Sequence, residues 1–146
     1  MELVEIENIK KLKARYFRCM DTKDWNGWRD VFTEDATLLF DLAVSTGGQD
    51  GNPAPRLEGR EAIVDYVADV FATAQTMHHG HMPEIDLVSD SEARGIWAME
   101  DIIDSGDGDI THGFGHYHET YRKVDGAWKI AATHLTRVRI ARTVAG

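Results

Sequence analysis

The sequence contains a single cysteine, no long apolar run and fewer basic than acidic side chains, and each shortage excludes a class of protein. One cysteine, Cys19, cannot form an internal disulfide, and its place in an amphipathic segment predicts a small buried side chain. No apolar stretch approaches the roughly 20 residues of a membrane-spanning helix. Residues 1–7 lack the basic start and apolar core of a secretory signal. We therefore expect no membrane partner and a cytoplasmic location.

Acidic side chains outnumber basic ones, with 25 Asp and Glu against 16 Lys and Arg and a formal net charge of −9. That charge repels a phosphate backbone or an anionic membrane surface, so we expect no nucleic-acid partner. The chain is nevertheless rich in apolar residues, which make up 42% of its 146 positions and exclude a disordered chain. Its length fits one domain over residues 1–146, with a core of its own.

Hydrophobic spacing indicates helices in the first half of the chain and strands in the second. Leu3–Met20 repeats apolar residues at three- and four-residue steps, which is typical of a long amphipathic helix. The following segments predict a short helix at 25–32, a buried strand at 36–42, a long loop at 45–55, a third helix at 63–71 and four strands within 76–141. Helices followed by an antiparallel meander predict an α+β domain.

Three tight turns, at residues 89–90, 106–108 and 125–126, predict how the four strands pair. Opposite residues in an antiparallel pair have residue numbers with a constant sum, so the first turn places His78 opposite Asp101. Directly opposed residues share a face, with Cβ atoms roughly 5 Å apart. The other two turns add further members to the His78 face: Trp97, Met99, Gly113, Gly115, Tyr117, His134 and Thr136.

The two faces of this predicted sheet differ in character. Gly113 and Gly115 remove side-chain volume beside Asp101, so we expect a hollow suited to a small hydrophobic ligand. A histidine and a carboxylate on its wall form a candidate site for proton transfer. The opposite face is too polar for the main core and is expected to meet water or another subunit. Its members are His79, His81, Glu100, His116, His118, Arg137 and Arg139.

Four segments of the chain resemble a known family, at residues 16–21 (YFRCMD), 77–85 (MHHGHMPEI), 95–101 (GIWAMED) and 121–129 (YRKVDGAWK). Together they are similar to the SnoaL-like branch of the nuclear transport factor 2-like superfamily, over nearly the whole chain. Within that branch the bile acid 7α-dehydratases are the most similar, and scytalone dehydratase and hexachlorocyclohexane dehydrochlorinase are more distant. The resemblance implies a cone-shaped α+β barrel, in which the sheet wraps around a pocket and the helices close it.

The resemblance also implies a site. The functional tyrosine, aspartate, histidine and second aspartate of bile acid 7α-dehydratases correspond to Tyr16, Asp21, His78 and Asp101. It implies that His78, oriented by Asp21, removes a proton from carbon beside a carbonyl. Tyr16 would then donate a hydrogen bond to the enolate oxygen. Asp101 would assist the departure of a hydroxyl group or a second proton transfer.

The activity implied is that of a cofactor-independent lyase, of the dehydratase type, or an isomerase. Its substrate would be a hydrophobic cyclic carbonyl compound such as a steroid or a polyketide. The trimeric dehydratases of the family imply a homotrimer, with a homodimer as the alternative. A non-catalytic protein of the same fold, which binds a small molecule or assists assembly, is the competing hypothesis.

Each residue assignment has a structural alternative that the sequence leaves open. His78 could be a hydrogen-bonded structural histidine, Tyr16 a core residue and Asp101 a strand-end carboxylate. Trp97 and Tyr117 are expected to contact the substrate, but an aromatic cross-strand pair also stabilises a sheet without any ligand. No native metal is expected, because the outer-face histidines lack the close spacing of metal ligands. The 45–55 loop fits either a lid or a disordered segment.

Overall fold

The computed structural model of the protein describes residues 1–144, in which three helices pack on one six-stranded sheet. The elements are α1 (Glu2–Asp21), α2 (Trp25–Asp30), β1 (Phe32–Phe40), β2 (Leu57–Glu58), α3 (Arg60–Val70), β3 (Gln75–Leu87), β4 (Glu92–Asp104), β5 (Ile110–Val124) and β6 (Ala127–Thr143). The strand order is β2-β1-β6-β5-β4-β3, parallel between β1 and β6 and antiparallel elsewhere. The predicted α+β class and the four long strands of the meander are confirmed.

Helix α1 forms where the amphipathic pattern predicts it, and its apolar stripe enters the core. Leu12, Tyr16 and Met20 recur every four residues and are each at most 3% exposed. The helix ends at Asp21, two residues before Lys23 turns the chain with a positive φ of 58°. This ending brings the Asp21 carboxylate against strand β3.

Helix α2 begins after Asp24, whose side chain accepts a hydrogen bond from the backbone N–H of Gly27 at 3.0 Å. The prediction that this helix continues to Phe32 is wrong, because α2 ends at Asp30 and Phe32 opens β1. In the strand, Phe32 is fully buried against Trp28, with ring centroids 4.8 Å apart. Either structure would bury Phe32, so hydrophobic spacing alone does not distinguish them.

The pairing of β4 with β5 agrees with the turn that predicted it, and the pairing of β3 with β4 agrees over residues 75–81 of β3. His78 lies opposite Asp101 between β3 and β4, and Asp101 lies opposite Gly113 between β4 and β5. All predicted pairs between β4 and β5 are found. A bulge between His81 and Glu84 shifts the β3–β4 pairing by one residue on the side nearer the turn. The predicted contact at His78 lies beyond that bulge and is confirmed.

The third pairing, between β5 and β6, departs from the predicted register. Near the turn at residues 125–126 the pairs are those predicted. The pairing then shifts by one residue between Thr120 and Tyr121, and again between Phe114 and Gly115. Each shift places an extra residue in β6, and a one-residue shift moves the later side chains to the other face.

These bulges change which β6 side chains reach the inner face of the sheet. The prediction that His134 and Thr136 share the face of His78 is wrong, because Tyr117 lies opposite Leu135 instead. The prediction that Arg137 lies on the outer face is also wrong. Arg137 is 8% exposed and lines the same cavity as His78. A strongly basic side chain thus joins the predicted site.

None of the helices within residues 1–144 is both long and apolar enough to cross a membrane. The core lies between the helices and the inner face of the sheet. Its buried members include Ile9, Leu12, Cys19, Trp28, Phe32, Ile63, Val64, Tyr121 and Ile130. The predicted burial of Cys19 is confirmed, since it is 3% exposed.

Candidate functional site

A cavity of about 510 Å³ lies between the helices and the inner face of the sheet. Much of its wall is apolar, with contributions from Leu38, Phe40, Tyr66, Val67, Phe71, Leu135 and Ile140. A set of polar side chains lines the same space: Tyr16, His78, Asp101, Tyr117 and Arg137. An apolar cavity of this size with a few converging polar groups is typical of a small-molecule site.

His78 is held in this cavity by Asp21. Its Nδ1 atom lies 2.6 Å from Oδ1 of Asp21, and its side chain is only 4% exposed. Asp21 also accepts hydrogen bonds from the backbone N–H of His78 at 2.8 Å and from the Thr76 hydroxyl at 2.9 Å. A carboxylate can only accept, so Nδ1 donates the proton and Nε2 of the neutral ring keeps its lone pair. His78 is therefore oriented as a proton acceptor.

Two phenylalanines flank the imidazole. The ring centroids of Phe17 and Phe71 lie 6.5 and 6.2 Å from that of His78, and the Phe17 ring is nearly parallel to it. Gly80 makes room for this packing, because a Cβ atom at that position would lie 2.7 Å from the Phe17 ring. These apolar neighbours limit the access of water to the histidine and strengthen its electrostatic interactions.

Arg137 forms a second pair, with Asp101, on the other side of Nε2. Its Nη1 and Nη2 atoms donate to Oδ1 and Oδ2 of Asp101 at 2.8 and 2.9 Å, a bidentate contact of a guanidinium with a carboxylate. The Asp101 side chain is 3% exposed, and its Oδ2 atom lies 3.9 Å from Nε2 of His78. Arg137 was predicted on the outer face, because its spacing from the turn gave no sign of the intervening bulges.

Gly113 and Gly115 were predicted to leave a hollow beside Asp101, and they do not. A Cβ atom at Gly113 would lie 2.4 Å from Nη1 of Arg137 and 2.6 Å from Oδ1 of Asp101. The space is therefore filled by the ion pair. At Gly115 a Cβ atom would lie 1.8 Å from the backbone oxygen of Thr136, so this glycine permits the close approach of bulged β6.

Tyr16 and Tyr117 form one wall of the cavity. Their rings meet edge to face, with centroids 5.8 Å apart. Burial raises the pKa of the Tyr16 hydroxyl well above its ordinary value, and the Glu119 carboxylate raises it further. Burial, followed by the proximity of Tyr16, likewise raises the pKa of Tyr117. Both hydroxyls stay protonated near neutral pH and are able to donate a hydrogen bond.

Trp97, which was expected to contact the substrate, does not line the cavity. Its indole N–H donates to the Tyr121 hydroxyl at 2.9 Å, and that hydroxyl donates to Glu119 at 2.8 Å. Glu119 also accepts a hydrogen bond from Nζ of Lys13 at 2.7 Å, in an ion pair with no exposed side-chain surface. Trp97 thus belongs to a buried polar network behind the tyrosine wall.

The outer face of the sheet carries a cluster of histidines around Glu100. His79, His81 and His112 lie 4.0, 3.3 and 3.0 Å from its carboxylate oxygens. The hydrogen bond from His112 lowers the pKa of the Glu100 carboxyl, burial opposes this, and the hydrogen bond from His81 lowers it further. In the part of the chain that the structure describes, no three His, Cys, Asp or Glu side chains have the geometry to hold a metal ion.

The long loop after β1 is attached to the rim of the cavity. Ser45 donates its backbone N–H to the carbonyl of Arg137 at 2.9 Å and accepts the backbone N–H of Arg137 on its hydroxyl at 2.9 Å. Asp41, at the start of the loop, accepts a hydrogen bond from His134 at 3.1 Å. Burial alone would raise the pKa of Asp41, but the hydrogen bonds from His134 and Ser45 lower it. The loop therefore touches the strand that supplies Arg137.

Comparison with known proteins agrees with this fold. Residues 1–134 match the family model of the SnoaL-like domain. The chain is also 26% identical over 133 residues to the probable cyclase FGR4 of Gibberella zeae, a match that covers 89% of each protein. The resemblance to bile acid 7α-dehydratases in particular stays a prediction.

Two solved structures have the same architecture. A candidate scytalone dehydratase from Novosphingobium aromaticivorans is 22% identical, with a TM-score of 0.80, over 96% of this chain and 88% of that one. The hexachlorocyclohexane dehydrochlorinase LinA-type3 from Novosphingobium barchaimii is 18% identical, with a TM-score of 0.77, over 99% and 93%. These similarities confirm the cone-type α+β fold that the sequence predicted.

Proposed function

The chain belongs to the SnoaL-like domain family, and we propose that it is a cofactor-independent lyase or isomerase acting on a hydrophobic cyclic carbonyl compound. The observation that carries this proposal is the His78–Asp21 contact of 2.6 Å, which leaves Nε2 free in a largely apolar cavity. The relatives are named as a cyclase, a dehydratase and a dehydrochlorinase. Elimination of water or of hydrogen chloride from carbon requires a base, and His78 is placed to act as one.

In the first step His78 removes a proton from the carbon beside the substrate carbonyl. The electron pair of that C–H bond forms the enolate, and the proton bonds to Nε2. The imidazolium so formed lies 2.6 Å from the Asp21 carboxylate and 3.9 Å from that of Asp101, which stabilise its charge. Tyr16 donates a hydrogen bond to the enolate oxygen, which stabilises the developing negative charge.

In the second step of an elimination the enolate carbonyl re-forms. The π electron pair of the enolate forms a double bond between the α and β carbons, and the C–O bond at the β carbon breaks. The departing hydroxyl group takes the proton from His78 and leaves as water, which returns the imidazole to its neutral form. In an isomerisation of an unsaturated ketone the enolate is conjugated with a second double bond, and His78 instead returns the proton to a different carbon of this dienolate.

Arg137 modifies the role that the sequence suggested for Asp101. With both oxygens bound to the guanidinium, Asp101 is suited to accept a hydrogen bond or stabilise a positive charge, and not to donate a proton. We therefore assign Asp101 to the stabilisation of the His78 imidazolium. Arg137 in turn fixes Asp101 and faces the cavity, where its charge is available to the leaving oxygen.

The proposed substrate class follows from the shape and chemistry of the cavity. Its volume of about 510 Å³ and its aliphatic and aromatic walls suit a rigid cyclic molecule such as a steroid or an aromatic polyketide. Phe40 and Tyr66, with ring centroids 6.1 Å apart, add aromatic surface to the lining of the cavity. A carbonyl of the bound ring would point toward Tyr16 and His78.

The proposal is tested by incubating the protein with steroid and polyketide-like ketones in deuterium oxide. Mass spectrometry then detects deuterium beside the carbonyl, or loss of water. The matched variants are His78→Ala and His79→Ala, since His79 is the neighbouring histidine and its side chain is 61% exposed on the outer face. We expect exchange in the wild type and in His79→Ala, and none above background in His78→Ala.

Two results would contradict the proposal. Near-normal exchange in His78→Ala would exclude His78 as the base. Tight binding of a ketone without exchange or product, unaffected by Asp21→Asn and His78→Ala, would instead support a non-catalytic binding protein. Binding is measured by isothermal titration calorimetry with the same compounds.

A homotrimer, with a homodimer as the alternative, remains part of the proposal. The outer face of the sheet supports it, because apolar side chains such as Ile96 and Val138 are 37% and 46% exposed there among the histidines. A monomer found by light scattering at micromolar concentration would refute it.

A further inference from the structure

A fully buried lysine lies directly behind the tyrosine wall of the cavity. Nζ of Lys13 is 3.7 Å from the ring centroid of Tyr16 and 3.7 Å from that of Tyr117, and 5.0 Å from that of Phe17. The residue is 0% exposed and does not line the cavity. Lys13 therefore touches the rings of two pocket residues without access to a ligand.

The position of this ammonium group is fixed by a chain of hydrogen bonds. Lys13 donates to Glu119 at 2.7 Å, Tyr121 donates to the other Glu119 oxygen at 2.8 Å, and Trp97 donates to the Tyr121 hydroxyl at 2.9 Å. Gly95 allows this arrangement, because a Cβ atom there would lie 2.8 Å from the Tyr121 hydroxyl. Helix α1 and strands β4 and β5 thus hold one charge in place.

Stability alone is a weak explanation for this pair. Removing two charges from water opposes folding, and apolar residues of similar volume often serve equally well or better. A cation over the face of an aromatic ring, by contrast, attracts that ring strongly when both are out of water. One ammonium group that contacts two ring faces at the same distance fixes the relation between those rings.

We propose that Lys13 is a positioning residue, which holds the rings of Tyr16 and Tyr117 so that the Tyr16 hydroxyl faces the reacting oxygen of the substrate. The effect on turnover rests on the proposed function, whereas the effect on ring position does not. Lys13 acts only through the two tyrosines.

The decisive variant is Lys13→Met/Glu119→Gln, which removes both charges together. Lys13→Met alone would leave a buried unpaired carboxylate and can fail to fold. In the double variant the introduced glutamine still accepts the Tyr121 hydroxyl, and the introduced methionine fills the space of the lysine. The matched control is Lys123→Met, because Lys123 also pairs with a carboxylate, Glu5 at 2.9 Å, and lies over an aromatic ring, Trp128, away from the cavity.

The readout is ¹⁹F NMR of protein labelled with 3-fluorotyrosine, which gives one signal for each of the four tyrosines. We expect the signals of Tyr16 and Tyr117 to shift in the double variant, the signal of Tyr66 to stay, and all three to stay in Lys123→Met. Thermal unfolding confirms that each variant is folded. Unchanged Tyr16 and Tyr117 signals in a folded double variant would overturn the proposal.

Turnover in the ketone exchange assay separates this inference from the proposed function. We expect the double variant to lose roughly tenfold to a hundredfold in kcat, the scale of a small misplacement of a catalytic group, with little change in KM. An unchanged kcat would overturn the catalytic part of the inference. If the wild type exchanges no ketone, the proposed function fails, whereas a shift of the two signals still supports the contact of Lys13 with both rings.

Discussion

His78 and Arg137, which both line the cavity, each bind a different aspartate, and the two pairs differ in which polar atoms they leave free. His78 uses one nitrogen to bind Asp21 and keeps the other for the cavity. Arg137 uses two nitrogens to bind both oxygens of Asp101. The first pair therefore retains a group that can accept a proton, whereas the second has used its acceptors on a fixed charge.

This difference assigns separate tasks to the two pairs. Asp21 orients a base, and Asp101 supplies a stationary negative charge 3.9 Å from it. Arg137 balances that charge in a buried place, where an unpaired carboxylate would strongly oppose folding. The His78–Asp21 pair is thus expected to matter for turnover, and the Arg137–Asp101 pair for both stability and turnover.

The largest effect on turnover is expected from Asp21→Asn, which disrupts the His78–Asp21 pair. The amide keeps the size of Asp21 but removes its charge, so the imidazolium loses its partner and the tautomer of His78 is no longer fixed. Turnover should fall roughly 10²–10⁴-fold, the usual range for loss of general base catalysis. Ketone exchange measures it, and a rate near that of the wild type would contradict the assignment of Asp21.

The next effect is on the free energy of unfolding, through the Arg137–Asp101 pair. Arg137→Met leaves Asp101 buried without a partner and should lower the free energy of unfolding by about 3–5 kcal/mol. Arg137→Met/Asp101→Val removes both charges and should recover most of that loss. Urea denaturation measures both variants. If the double variant is no more stable than the single one, the unpaired carboxylate is not the cause.

Three buried tyrosines predict a limit to stability at alkaline pH. Burial raises the pKa of Tyr16, Tyr117 and Tyr121 in the folded protein. Because the folded state holds these protons more tightly than the unfolded state, their contribution is complete below the ordinary tyrosine pKa of about 10 and is lost as pH rises above it.

Absorbance at alkaline pH checks this expectation. Three of the four tyrosines should stay protonated through pH 10 and ionise together with unfolding, which circular dichroism follows. Ionisation of these three tyrosines at the ordinary pH, with the fold intact, would show that the wall is open to water.

The smallest effect, on stability, is expected from Thr76→Val, which removes one hydrogen bond to Asp21 and leaves both pairs in place. Valine keeps the shape of threonine but removes the hydroxyl that donates to Asp21 at 2.9 Å. Asp21 keeps its other two donors, so unfolding should become easier by only about 1 kcal/mol. Thermal unfolding measures the change. A loss as large as that of Arg137→Met would mean that Thr76 has a further structural role.

The sequence predicted the parts of the site that depend on short-range signals. The turn at residues 106–108 gave the pairing of Asp101 with Gly113, because no bulge interrupts β4 or β5 between them. The predicted pairing of His78 with Asp101 is also found, although the pairs nearest the turn at residues 89–90 are shifted by one residue and the bulge in β3 restores the predicted register at His78. The amphipathic pattern of α1 placed Tyr16 in the core.

The sequence did not predict what the bulges in β6 decide. Hairpin turns specify register only as far as the first extra residue, and neither bulge has a distinct sequence signature. Arg137 was therefore assigned to the wrong face, and Gly113 was interpreted as a hollow and not as room for a guanidinium. Trp97 faces inward as predicted, but its distance from the cavity depends on the packing of Tyr121, which strand alternation does not show.

The proposed mechanism requires that Asp21 holds the proton of His78 on Nδ1 and leaves Nε2 free to act as a base. It is tested most directly by ¹⁵N NMR of histidine-labelled protein near neutral pH, with the His78 signals identified by their loss in His78→Ala. We expect Nδ1 of His78 to carry a hydrogen and Nε2 to have the shift of an unprotonated nitrogen. A proton on Nε2 of the ligand-free protein would contradict it.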